Sequence, residues 1–295
     1  MVIADEIWPA PAKLNLMLHI TGRRPDGYHE LQTVFQFLDI CDELAFRVLG
    51  SGDIVRSDGP AGIPAADDLV VRAARALQTA GTTPLGAEIS LKKVLPVGAG
   101  LGGGSSDAAT TLHALNRLWR LGLDYDALAE IGLQLGADVP VFVRGYAAFA
   151  EGVGERLQPV FPPQPWYLVI TPDVHVSTAE IFADRELTRD CPAIKICPPS
   201  TATRDPVLDV IHDNVCVPVV VKRYPEVGRA LDMLGEYAEA RMSGTGASVF
   251  ASFDMEDEAR SALTSMRQSG TPAGWKFFVC RGCNESPLIT YMSCL

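Results

Sequence analysis

Residues 96 to 109 read PVGAGLGGGSSDAA, with five glycines between Gly98 and Gly104, two serines, an aspartate and then a stretch with apolar helical spacing. Glycines let backbone N–H groups crowd round an anion, and a helix N-terminus directly behind them adds unpaired donors and a positive dipole end. Pro96, Val97, Gly98, Ala99, Gly100, Leu101, Gly102, Gly103, Gly104, Ser105 and Ser106 are therefore candidate phosphate-binding residues. Ser105 or Ser106 also suits a helix N-cap and Asp107 the first turn, so capping accounts for part of the pattern. Moving a phosphoryl group onto an alcohol needs two more parts, a cation for the developing charge and a group that orients or deprotonates the hydroxyl. Lys13 in PAKLNLMLHI (11–20) can supply the first and Asp138 in GADVPVF (136–142) the second. Residue type alone leaves both open. Lys13 also reads as a strand-end lysine with a solvated head, and Asp138, ahead of Val139 and Pro140, as an ordinary N-cap.

Other chemistries fail on spacing. A Walker A loop needs Lys and then Ser or Thr after its last glycine, and Gly104 is followed by Ser105 and Ser106. Gly98, Gly100 and Gly103 satisfy the dinucleotide pattern, but Asp124, the acid about 20 residues on, follows a helix and not a second strand. His29 and Glu30 open a zinc-protease motif whose fifth position is Thr33, and Cys280 with Cys283 is one CxxC without a partner pair. These two cysteines read as small buried or surface thiols, and no metal-ligating set is expected.

Elements that could hold the loop are legible along the 295 residues. Leu14, Leu16 and Leu18 alternate as in a strand, followed by a turn-rich segment from Thr21 to Gly27 and a second strand over 31–38. Helical spacing runs over 68–80 and again from Ala108 to Trp119, directly after the glycines. Three prolines at 162, 163 and 165 cannot continue a helix or an interior strand, which places a domain boundary near residue 160. Beyond it, strands are expected at 166–171, 247–253 and 275–280, and helices at 225–240 and 257–269. The mixture lacks a strict βαβ rhythm, so the fold class is α+β with domains 1–160 and 161–295.

Lys plus Arg is 25 and Asp plus Glu 36, a net charge of −11 with no basic patch, which disfavours nucleic acid as a partner. The longest apolar runs, such as Val215 to Val221, fall far short of the ~18 residues that span a bilayer, so no membrane is expected. The start carries Asp5 and Glu6 where a secretory signal needs basic and then apolar residues. Seven scattered cysteines suit a reducing compartment, and the expected location is the cytoplasm.

Four segments in order, PAKLNLMLHI, the long glycine loop, GADVPVF and MSGTGA (242–247), resemble the GHMP family of small-molecule kinases over most of the chain. The resemblance implies a two-domain α+β fold with the active-site cleft between the domains, ATP with Mg2+, and Lys13 and Asp138 as catalytic residues. Within the family, TGRRPDGYHEL (21–31), the triple glycine and RGCNESPL (281–288) resemble the members that act on a cytidyl diphosphate sugar alcohol. That likeness places Asn15, Tyr28, His29 and Phe182 around the acceptor, the aromatic residues sandwiching cytosine, with Gly244 and Thr245 beside the phosphates. No dedicated protein cage for the metal ion is visible in the sequence, although Ser106 could touch it. Siblings acting on homoserine or mevalonate, and a non-catalytic nucleotide-binding regulator, are the alternatives. The chain departs from the pattern at Val217, where an acidic residue is expected, at Cys283, and in its tail after Leu288.

Overall fold

Two long strands, β1 (Trp8–Arg23) and β2 (His29–Leu49), form the antiparallel hairpin from which the rest is built. The computed structural model describes residues 6–25, 27–195 and 213–295; Asp5 and Cys197 lie outside them. The turn is shorter than the sequence suggests. Strand pairing runs on to Arg23 and His29, and the chain reverses through a bond from Arg24 N–H to the Tyr28 carbonyl (2.7 Å).

β2 pairs with four strands: β1, β4 (Gly86–Lys92), β5 (Ala148–Gly152) and β10 (Lys276–Cys283). β3 (Ile54–Asp58) runs parallel to β4, whereas the other pairings between these strands are antiparallel; a single parallel bridge also joins Leu18 to Asn214. β6 (Arg156–Pro159) extends β5, and β10 continues into β7 (Trp166–Thr171), β9 (Val249–Phe253) and the two-residue β8 (Arg241–Met242). Helices cover these strands, which makes the architecture α+β. The proline segment between β6 and β7 is tied down: Gln36 donates to the Pro163 carbonyl (2.8 Å) and Asn284 to the Pro162 carbonyl (2.8 Å).

The alternation in β1 does not mean one wet face. Nearly all of the strand is buried, because its side chains serve three cores. Trp8 and Ala10 join the core of α1 (Leu69–Ala80) and α2 (Gly103–Leu118); Leu14 and Leu16 pack with Val169 and Phe250; Leu18 and Ile20 pack with the second half of the chain. α3 (Tyr125–Leu135) and α4 (Val139–Arg144) follow α2 and close the first core. Asp124 is spent as the α3 cap, accepting from Ala127 N–H (2.9 Å), which removes it as a ribose ligand.

In the second half, α5 (Thr178–Ala183), α6 (Val217–Arg223), α7 (Pro225–Gly235) and α8 (Glu256–Ser269) pack about β7 to β9. α7 ends at Gly235, five residues before the expected end, and β10 runs past Cys280 because Gly282 and Cys283 find partners in Leu38 and Phe37. Val217 sits at the first turn of α6, half-buried against the second core, where an apolar side chain suits the packing. The unmatched tail is α9 (Pro287–Ser293), which returns to the first core: Leu288 is fully buried and the Tyr291 ring meets Trp8 edge-on at 5.4 Å. The six described cysteines are free; burial, ahead of nearby acidic groups or thiols, pushes the Cys41 and Cys216 thiols up to about 12, so neither is a thiolate near neutrality.

Candidate active site

Alternation along a strand puts residues i and i+2 on one face, and β1 uses this to aim Lys13 and Asn15 the same way while Leu14 between them enters the core. Register shifts lie on either side of the pair, at Pro11/Lys13 and Asn15/Met17. Such bulges re-aim side chains next to functional sites. Both residues line a cavity of about 890 Å³ that the two halves of the chain share.

Lys13 is not the solvated strand-end lysine: it sits mid-strand and is 3% exposed. Its ammonium lies 3.3 Å from Asp138 Oδ2 and donates to Asn15 Oδ1 (2.5 Å) and the Gly100 carbonyl (3.2 Å). Asp138 stands at the cap position of α4 but its side chain makes no capping bond. The carboxylate is turned to the cavity instead of to the helix. Asn15 is held in turn by donating to Thr33 Oγ1 (2.9 Å), whose hydroxyl donates to the Met17 carbonyl (2.5 Å).

The glycine loop arrives from the opposite side. Helix α2 begins at Gly103 with Gly102 as cap, so neither Ser105 nor Ser106 is the N-cap. The physical reason is crowding: a Cβ on Gly102 would lie 2.7 Å from the Phe142 ring and 3.0 Å from Lys13 Cγ, and the residue has φ +72°. The helix therefore starts with no capping side chain, and its first N–H groups stay available. Asp107 is not a surface dipole partner either. It is buried and bonded to Lys93 (2.7 Å), which also donates to Asp42 (2.5 Å), and burial pushes its carboxyl upward against the pull of Lys93. This cluster fastens α2 to the end of β4. Ser106 Oγ, also buried, has no hydrogen-bond partner among the described residues.

The MSGTGA turn locks the loop from outside. Ser243 Oγ donates to the Gly100 carbonyl (2.9 Å) and accepts from Asn15 N–H (3.1 Å), Ser248 N–H donates to the Ala99 carbonyl (3.0 Å), and Thr245 and Thr178 share a hydroxyl bond of 2.8 Å. Gly100 has φ +79°, and a Cβ there would lie 2.4 Å from the Ser243 carbonyl oxygen. Gly100→Ala is accordingly expected to weaken nucleotide binding by about tenfold or more, through left-handed strain of ~1–2 kcal/mol plus the backbone clash. Titration with a fluorescent ATP analogue measures it; affinity within about twofold of wild type would show that the loop is not the nucleotide site.

Not every residue of the glycine segment faces the cavity. Gly98, Gly100, Gly102 and Ser105 line it, whereas the side chains of Ala99 and Leu101 are buried and Val97 is 58% exposed. Tyr28, His29, Phe182, Gly244 and Thr245 line it as well, with Gly244 beside Asn15 and the Gly100 carbonyl. His29 and Phe182 stack on one another, 5.2 Å between centroids and 24° between planes, and Tyr28 is 66% exposed beside them. Thr33, Phe35, His175 and Thr178 also line the cavity, and Ser243 braces it. Of these, Thr178 was within reach of the sequence: Ser177-x-x-Glu180 is a helix-start pattern, and Ser177 does cap α5.

Comparison with known proteins places the whole chain among relatives. Residues 68–146 match the GHMP kinases N terminal domain and residues 207–271 the GHMP kinases C terminal domain. The 4-diphosphocytidyl-2-C-methyl-D-erythritol kinase of Pseudomonas savastanoi pv. phaseolicola is 56% identical, covering 98% of this chain and 96% of its own. The protein of that name from a Shewanella species (strain W3-18-1) is 54% identical, covering 97% and 96%. A crystal structure of 4-(cytidine 5'-diphospho)-2C-methyl-D-erythritol kinase superposes with a TM-score of 0.77 at 32% identity, covering 94% of this chain and 99% of that one. Homoserine kinase from Cytophaga hutchinsonii, at 16% identity, TM-score 0.69 and 95% coverage of both chains, shares the fold.

Proposed function

The chain belongs to the GHMP kinases, and from that premise we propose that the cavity transfers the γ-phosphoryl group of ATP to the 2-hydroxyl of 4-diphosphocytidyl-2-C-methyl-D-erythritol, a step in non-mevalonate isoprenoid-precursor assembly. One observation carries the reading. Lys13 touches both Asp138 and the Gly100 carbonyl, so cation, carboxylate and glycine loop converge on one point of one cavity.

The geometry supports the following division of labour. Backbone N–H groups of the loop and the uncapped start of α2 hold the nucleotide phosphates. Lys13 places positive charge where the transferring group becomes anionic. Asp138, half-buried and free of capping duty, accepts the proton of the attacking hydroxyl. Asn15 and Thr33 keep Lys13 from turning away. Tyr28, His29 and Phe182 take the cytosine end of the acceptor, where stacking is worth ~1–3 kcal/mol per base.

Mg2+ with ATP is part of the proposal. The buried Ser106 hydroxyl, unpartnered among the described residues in the first turn of α2, fits it as a hard oxygen donor next to the cavity-lining Ser105. The ion, when bound, neutralises phosphate charge. The two-domain division at 160/161 is supported by one core drawn mainly from residues before it and one mainly from residues after it, with Leu18, Ile20 and α9 crossing over and a third core shared by both halves. A cytoplasmic location is supported by the odd and scattered set of seven cysteines, and the expectation of no nucleic-acid partner by the charge of −11.

The test follows ADP release from ATP and magnesium with three acceptors offered separately. Turnover with the cytidyl diphosphate acceptor alone is the expected outcome. Turnover with homoserine or mevalonate would move the protein to a sibling activity. ATP binding with no turnover would make it a regulator.

A further inference from the structure

His29 sits on the wall of the base-binding end with its ring held from behind. The Arg189 guanidinium donates through Nε to His29 Nε2 (3.1 Å), through Nη2 to the carbonyls of Phe182 (2.8 Å) and Asp184 (2.5 Å), and through Nη1 to the Leu187 carbonyl (3.0 Å). A guanidinium only donates, so Nε2 must accept, and a neutral imidazole that accepts at Nε2 carries its single hydrogen on Nδ1. Two of these carbonyl bonds, to Phe182 and Asp184, hold the end of α5 that carries Phe182, whose ring lies flat against His29. One side chain thus fixes the position, the plane and the tautomer of the imidazole.

We propose that Arg189 makes the base pocket select cytosine over uracil by holding His29 as an Nδ1–H donor; this rests on the cytidyl reading of the acceptor site. The two bases differ at their pairing edge. Cytosine presents a bare N3 acceptor between its amino group and O2, whereas uracil presents an N3–H donor between two carbonyls. An N–H that cannot become an acceptor meets N3 of cytosine as a hydrogen bond and N3–H of uracil as donor against donor. Sites built round a required hydrogen bond reject the mismatched analogue strongly, because the buried group is left unpaired.

The charge state is consistent with this role. Burial first, then the neighbouring cations Arg189 and Arg23, hold His29 below its ordinary range, so the ring is neutral at pH 7 and offers one donor, not two. Arg189 lies behind the ring and outside the cavity lining, which makes it a positioning residue.

The experiment compares kcat and KM for the cytidyl acceptor and its uridyl analogue in wild type, Arg189→Met and Arg189→Lys, alongside 15N shifts of the His29 imidazole in the wild-type protein. The wild type is expected to show a protonated Nδ1 and a bare Nε2. Arg189→Met is expected to cut the preference for the cytidyl acceptor by about tenfold or more, through a higher KM at nearly unchanged kcat. Arg189→Lys, which keeps the charge without the fork of donors, should fall in the same direction. A merely structural arginine would leave the wild-type tautomer unbiased. If the wild type used both acceptors equally, the cytidyl reading would fall and this proposal with it. If it preferred the cytidyl acceptor but Arg189→Met kept that preference within about twofold, or the wild-type ring carried its hydrogen on Nε2, the role of Arg189 alone would be overturned.

Discussion

Asp138→Asn is expected to lower kcat by about 10³-fold while ATP binding and thermal stability stay close to wild type. The substitution keeps the shape and removes the charge and the proton-accepting oxygen. Nothing structural should follow, because the Asp138 side chain neither caps α4 nor enters a core, and about a third of it faces solvent in the cavity. Its one close ionic partner among the described residues is Lys13, at 3.3 Å, and Lys13 keeps its bonds to Asn15 and the Gly100 carbonyl when the carboxylate is gone. A general base contributes ~10²–10⁴-fold, and a 10³-fold loss corresponds to about 4 kcal/mol of lost transition-state stabilisation. Single-turnover rates with saturating ATP and acceptor separate chemistry from binding. A rate constant within about tenfold of wild type would remove Asp138 from proton transfer and leave it as a partner of Lys13 alone.

What was legible in the sequence follows from how local each feature is. The glycine run and the α2 periodicity are adjacent in the chain, and the structure joins them as expected. The cap was misplaced because the reason for Gly102 lies far away, in Phe142 and Lys13, which no local pattern contains. Lys13 and Asp138 were ambiguous for the same reason. Each has a bland local reading, and only the approach of β1 to the start of α4 decides against it. In β1, alternation announced a strand but not that both faces would be buried, since that depends on cores assembled from both halves of the chain. The tail could not be matched as a motif, yet Leu288 and Tyr291 show it to be an ordinary amphipathic helix whose partner, Trp8, is at the other end of the sequence. Arg189 left no signal at all. Its worth lies in four acceptors brought together by a turn after α5 and by the start of β2.

Lys13→Met is expected to lower kcat by ~10²–10³-fold, the usual loss when one preorganised donor to developing charge is removed. Methionine is unbranched and fills irregular space, and the surroundings of the Lys13 stem are apolar: the Phe35 ring lies 5.4 Å from the ammonium and Gly102 packs against the stem. The fold should therefore survive, with Asp138 still reaching solvent through the cavity. The double variant with Asp138→Asn decides how the two residues work. If Lys13 meets the transferring phosphoryl group directly and Asp138 handles the proton, the two losses fall on different atoms of one transition state and combine to about 10⁵-fold or more. If Lys13 acts only by holding Asp138 in place, removing both costs little beyond removing one, as happens when residues act as a unit. The position of the ammonium favours the first outcome. It touches the loop at the Gly100 carbonyl as well as the carboxylate, and so stands between the phosphate cradle and the base. A double variant no slower than the worse single variant would overturn that assignment and make Lys13 a positioning residue for Asp138.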